Sequence, residues 1–121
     1  MAVTSNDIVP SMTPLSRVST ASTNGVLLQA GRLRLADIHA TNSGEADVYL
    51  KVYDKASEPN PATDTPVLRR LVPAGSGFHW HAENGYRLAS GLAIVIVGGV
   101  ADDDETAVGA GEVIADFGVL A

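Results

Sequence analysis

Between Ala46 and Tyr53 the chain alternates without a break. Ala46, Val48, Leu50 and Val52 hold one phase; Asp47, Tyr49, Lys51 and Tyr53 hold the other. A period of two places the two sets on opposite faces of a pleated strand, so this stretch predicts a half-buried strand with a polar outer face. No stretch longer than ten residues shows a capped apolar period of 3.6, which excludes an architecture built on long helices.

The rest of the chain repeats the same grammar. Gly25 precedes Val26 to Leu28. The run Leu33 to Ala40 is apolar at 33 and 35 and again at 38 and 40, a change of phase near Ala36 and Asp37 that predicts a bulge. Thr41-Asn42-Ser43-Gly44, Pro73-Ala74-Gly75-Ser76-Gly77 and Glu83-Asn84-Gly85 read as turns. They separate Val67 to Val72, Phe78 to His81 and Tyr86 to Ala89. Leu92 to Val97 is apolar in both phases and predicts a central strand, and Val113 to Leu120 closes the chain. Short strands divided by such turns predict an all-β protein, a jelly-roll-like β-sandwich of about eight strands, with an immunoglobulin-like sandwich as the second choice. The predicted core is Val48, Leu50, Val52, Leu71, Leu92, Ile94, Ile96, Val113 and Phe117.

Residues 1–25 differ in kind. Serine, threonine and asparagine dominate, with Pro10 and Pro14 among them, and there is little apolar surface to offset the entropy of ordering. The sequence predicts an extended polar N-terminal arm over 1–25 and a sandwich domain over 26–121. The arm is expected to dock either on its own domain or on a neighbouring subunit.

Composition narrows the functional classes. Eight basic against fourteen acidic side chains give a net charge of −6, which argues against a nucleic-acid-binding face. The absence of cysteine removes disulfides, zinc–thiolate sites and thiol nucleophiles. Leu92 to Val97 is far too short to cross a bilayer, and the N-terminus lacks a basic and then apolar leader, so a soluble protein without membrane partners is expected.

Four local features invite a chemical reading. In Phe78-His79-Trp80-His81 the two histidines share a strand face, and with Glu83 they are candidate metal ligands, His39 being the one other imidazole. The spacing is similar to the His-x-His of cupins, themselves jelly rolls, but Glu83 follows His81 by only two positions and no histidine comes later. The competing reading leaves His79 and His81 facing solvent or a subunit interface. Asp102-Asp103-Asp104-Glu105 is an acidic run in which calcium is the sharp reading and simple solvation the bland one, Asp64 being a further donor if the loops meet. Ser76 with His79 and Asp37 or Asp116 is a conceivable nucleophilic set, though Ser76 sits in turn chemistry. Arg69-Arg70 splits to opposite faces of a strand, one of them facing an interface or a sheet edge. None of these amounts to a catalytic signature; the expectation is a non-enzymatic protein with no catalytic residue, no resident metal and no cofactor.

The stretch from Asn42 onward carries Tyr49-Leu50-Lys51-Val52-Tyr53-Asp54-Lys55-Ala56, Asp64-Thr65-Pro66-Val67-Leu68, Val72-Pro73-Ala74-Gly75-Ser76-Gly77, Gly91-Leu92-Ala93-Ile94 and Thr106-Ala107-Val108. In these it resembles the small virion structural proteins of tailed bacteriophages. The resemblance implies a β-sandwich and a particle-bound role, most simply a capsid decoration (cement) protein on the outer surface of the head, made in the host bacterial cytoplasm. The partners it implies are the major capsid protein and further copies of the chain in a homotrimer. The expected contact residues are Val3, Ile8, Val9, Pro10, Met12, Leu15 and Arg17. The alternative role is a neck, tail or host-recognition component in which Trp80, Tyr86 and Tyr53 meet a glycan or receptor.

Overall fold

The computed structural model describes residues 12–120. They form eight strands: β1 (Thr13–Val18), β2 (Val26–Ala30), β3 (Leu33–Asn42), β4 (Val48–Asp54), β5 (Leu68–Val72), β6 (Ser76–Leu88), β7 (Gly91–Val97) and β8 (Val113–Leu120). Two antiparallel four-stranded sheets result, one in the order β1-β8-β3-β6 and the other β2-β7-β4-β5. Successive strands cross between the sheets at every connection except the β4–β5 hairpin, the order a double Greek key requires, so the sandwich is a jelly roll. The immunoglobulin order, with its first two strands paired, is excluded.

The core is the sum of the inward phases. Leu33, Leu35, Ile38, Ala40, Val113, Ala115, Phe117 and Val119 come from the first sheet. Val48, Leu50, Val52, Val72, Leu92, Ile94 and Ile96 come from the second, all buried. Strand β3 delivers Leu35 and Ile38 to the same side because Leu35 pairs with Val119 while Asp37 already pairs with Gly118; one extra residue is accommodated at Ala36. The buried Asn42 ties the next turn, donating from Nδ2 to the carbonyls of Ala46 and Val72 and accepting from Gly44 N–H.

Four expectations need correction. Thr13 to Val18, assigned by sequence to the arm, pairs along its whole length with β8 as an edge strand, so the sandwich begins before residue 26. The Glu83-Asn84-Gly85 stretch does not reverse the chain. Asp37 pairs with His81 and Leu35 with Tyr86, so residues 82–85 bulge out of one continuous β6, with Gly85 at φ +80°. Leu71 is 44% exposed, because the β4–β5 register pairs Val48 with Val72 and turns Leu71 outward opposite Tyr49. Lys51 and Tyr53, expected on a polar outer face, are buried.

The last correction reveals a second, smaller core. Tyr53, Ala93, Val95 and Val97 lie on the outer face of the β2-β7-β4-β5 sheet with Leu27 packed against them. Loops 98–112 and 55–67 close over it. Lys51 Nζ donates to the Ala101 carbonyl, Arg69 grips Asp102 in a two-pronged ion pair, and Tyr53 shares a pocket with Asp64 and Thr65.

Candidate functional site

Among the described residues, no loop closes over the outer face of the β1-β8-β3-β6 sheet in this way. Register lines its residues into three cross-strand rows. Pro14, Gly118, Asp37 and His81 make the first; Ser16, Asp116, His39 and His79 the second; Val18, Ile114, Thr41 and Gly77 the third. All three histidines of the chain therefore stand on one face, although His39 and His79 are forty positions apart in sequence. Val18 and Ile114, register partners, leave an apolar pair 51% and 43% exposed beside them.

The imidazoles are organised around Asp37. His79 Nε2 is hydrogen-bonded to Asp37 Oδ1, and His81 Nδ1 lies 3.6 Å from the same oxygen. The His39 ring meets that of His79 edge-on at 5.3 Å. One carboxylate thus orients the exposed His79 imidazole and stands beside that of His81. Phe78 and Trp80, on the alternate phase, pack against the core, as the reading of histidines outward and aromatics inward requires.

The chemical readings of the sequence fare differently. Glu83 sits in the β6 bulge, beyond the His81 register point. Among the described residues no three His, Asp or Glu side chains come together to hold a metal ion. Ser76 and His79 are three apart on one strand and so point to opposite faces, and only the His79–Asp37 half of that conceivable set exists.

In the acidic loop, Asp102 is held by Arg69, whose hydrogen bond keeps the Asp102 carboxyl below the usual range. Burial works against the charge of Asp104, but the backbone and hydroxyl of Thr106 and the N–H of Gly99 outweigh it and hold that carboxyl low as well. Asp64 does not join this loop; its carboxyl is kept low by Asn60 N–H and then by Lys55. Of the arginine pair, Arg69 is used within the chain and Arg70 donates to the Arg69 carbonyl.

Of the expected contact residues, Val3, Ile8, Val9 and Pro10 lie outside the described residues. Met12 is exposed and rests its side chain over Gly118, at the edge of the open face, where it lines a shallow pocket with Pro14, Asp37 and Asp116. Leu15 and Arg17 serve the domain itself. Leu15 packs on the core, and Arg17 Nη2 donates to Asn24 Oδ1 at 3.1 Å. Of the three aromatics expected to meet a glycan or receptor, Tyr86 is exposed, Trp80 is half-buried and Tyr53 is only 2% exposed. Sequence reasoning missed the open face as a unit. The signal available was the phase of His39 and Asp37 relative to the apolar set of β3, but the pairing that brings β6 alongside was not in it.

Comparison with known proteins finds no matching family model, no matching curated protein and no matching solved structure.

Proposed function

We propose that this chain is a non-enzymatic structural protein of a tailed-phage virion, a decoration (cement) protein seated on the outer surface of the head. The observation that carries the reading is the inequality of the two sheet faces. One is sealed by the chain's own loops, while the other is left open by the described residues, bears exposed Val18 and Ile114, and is bordered by the edge strand β1. A face that keeps an apolar pair exposed is suited to a larger surface. The jelly-roll order adds support by analogy, since viral capsid domains share it, as lectins and cupins do. In this reading the partners are the major capsid protein and further copies of the chain in a homotrimer. Acidity favours the outside of the shell over its DNA-filled interior.

Two measurements test it. Quantitative mass spectrometry of purified virions should find on the order of hundreds of copies per particle; about 3–18 copies, the symmetry of neck and tail rings, would assign the chain there instead. Deleting residues 2–11 should abolish binding to undecorated heads while the truncated protein still melts cooperatively, because the deletion keeps all eight strands. A truncated protein that still saturates heads removes the contact role of that segment.

A further inference from the structure

Two of the chain's asparagines, Asn24 and Asn84, stand directly before a glycine. The pair is chemically labile. The main-chain nitrogen of the second residue can attack the Cγ of the asparagine, and a glycine there places no side chain in the way. Asparagine is for such reasons one of the thermolabile residues. What protects it in a folded chain is a side chain and a backbone that are held in place.

The fold treats the two pairs in opposite ways. Asn24 is buried and its amide is saturated. Its Oδ1 accepts from Arg17, from Thr20 N–H and from the Thr20 hydroxyl, and its Nδ2 donates to the carbonyls of Thr20 and Ser22. Its Cγ cannot swing toward the Gly25 nitrogen without giving up these bonds. Asn84 is exposed, and among the described residues nothing is hydrogen-bonded to its side-chain amide. It lies in the bulge of residues 82–85, which have no register partner on β3, and β6 is the outermost strand of its sheet. Its one side-chain contact comes to the main chain: the Asn84 carbonyl accepts an exposed bond from Arg34 Nη1 at 3.2 Å. The other described asparagines are not candidates. Asn42 is buried and its Nδ2 is taken by the carbonyls of Ala46 and Val72. Asn60 precedes Pro61, whose nitrogen carries no proton to lose.

We propose that Asn84–Gly85 is a self-modification site, at which the folded chain deamidates without an enzyme. The Gly85 nitrogen gives up its proton and bonds to the Asn84 Cγ. The Cγ–Nδ2 bond breaks, and the amide nitrogen leaves with that proton as ammonia, so that a cyclic succinimide remains. Water then adds to one of the two ring carbonyls and the C–N bond there opens. The Gly85 nitrogen regains a proton, and residue 84 becomes aspartate or isoaspartate. Nothing is oxidised or reduced, and water is the only co-reactant. Either product carries one more negative charge, next to Glu83 on the edge strand. The Asn84 side chain is exposed, so the sandwich keeps its fold while its charge changes. The chemistry needs no partner and does not depend on where the protein resides.

The test incubates the full chain at mildly alkaline pH, where the Gly85 nitrogen loses its proton more readily, and follows it by peptide mass spectrometry and ion-exchange chromatography. In the folded chain Asn84 should convert at least tenfold faster than Asn24, because freeing Asn24 from its hydrogen bonds costs more than the roughly 1.4 kcal/mol that a factor of ten represents. In guanidinium chloride, with the chain unfolded, the two pairs should react at similar rates. Asn84→Gln requires a larger ring for the same attack, so the acidic species should disappear while the melting curve is unchanged. Asn84→Asp should elute with the acidic species formed by the wild type. Asn84 intact in the folded chain, over a time in which the unfolded chain converts, overturns the proposal. Equal conversion of Asn24 and Asn84 in the folded chain overturns it too, as does an acidic species that persists in Asn84→Gln.

Discussion

The two sheets of this sandwich share one core but treat their outer faces in opposite ways. Behind the β2-β7-β4-β5 sheet the strands present Tyr53, Ala93, Val95 and Val97, and two loops bury them. Behind the β1-β8-β3-β6 sheet the strands present histidines, aspartates, a serine and a threonine, with one apolar pair. The difference separates what the chain satisfies by itself from what it leaves for solvent or a partner. Where the chain carries its own cover, burial of each apolar outer residue is worth about 1.5–3 kcal/mol; Val18 and Ile114, left exposed, forfeit it.

The most severe break of this contrast is to place one charge on each face. Val95→Asp puts a carboxylate where no solvent reaches, and should cost more than about 4 kcal/mol, enough to prevent stable folding. Ile114→Asp, on the open face, should shift stability by no more than about 0.5 kcal/mol. Urea denaturation monitored through Trp80 would measure both. A comparable loss in the two variants would mean that the open face is covered in solution.

A smaller but sharper effect is expected at Asn24, which holds the crossing between the sheets. It is buried, adopts φ +59°, and accepts hydrogen bonds through Oδ1 from Arg17, from Thr20 N–H and from the Thr20 hydroxyl. Its Nδ2 donates to the Thr20 and Ser22 carbonyls. Asn24→Ala leaves those groups unpaired and strains the backbone, a loss of about 2–3 kcal/mol. Asn24→Gly removes only the strain, so it should recover a small part of that loss in the same urea experiment. Full recovery would mean that the hydrogen bonds contribute nothing.

Asn24 also explains why the sequence was legible in the sandwich and opaque before it. The alternation of β4, the doubly apolar β7 and the phase slip at Ala36 each carry their structural meaning locally, since burial against a core writes a pattern into consecutive residues. Residues 19–25 are ordered by a different means. Ser19 Oγ donates to the Gly109 carbonyl and accepts from Val113 N–H, and Asn24 gathers its neighbours, so a polar segment is fixed without apolar burial. Such order leaves no periodicity. Leu71 and Val72 make the complementary case: two adjacent apolar residues, of which only the register with β4 decides which enters the core. The histidine face was half visible, because the outward phase of each strand was readable and their pairing was not.

Acid should erode both sides of the contrast through the loop ends. For Asp54, burial opposes the charge, but the N–H groups of Ser90, Ala89 and Gly91 prevail and hold its carboxyl below the ordinary range. Asp104 is held low in the same manner. Folded values below the unfolded value of about 3.9 mean that this stabilisation is complete above it and is lost as pH falls through the folded values. The melting temperature should therefore be flat between about pH 5 and 7 and fall below about pH 4. Asp54→Asn with Asp104→Asn should flatten the acid limb; an unchanged limb would place the lability elsewhere.

Lys51 isolates the contribution of the cover itself. Burial lowers its pKa, opposed by the nearby charges of Asp104 and Asp102, and its ammonium meets the Ala101 carbonyl beneath the acidic loop. A lysine with a lowered pKa makes the folded state bind fewer protons than the unfolded one, so stability should rise with pH until the unfolded value near 10.4 is reached. Lys51→Met keeps the length of the side chain and removes the desolvation cost, and buried ionic groups replaced in this way are often neutral or stabilising, here by about 0–1 kcal/mol. The alkaline rise should vanish in this variant. A clear destabilisation instead would show that the ammonium–carbonyl bond to Ala101 outweighs desolvation and holds loop 98–112 onto the sheet. The seal of the covered face would then be as much polar as apolar.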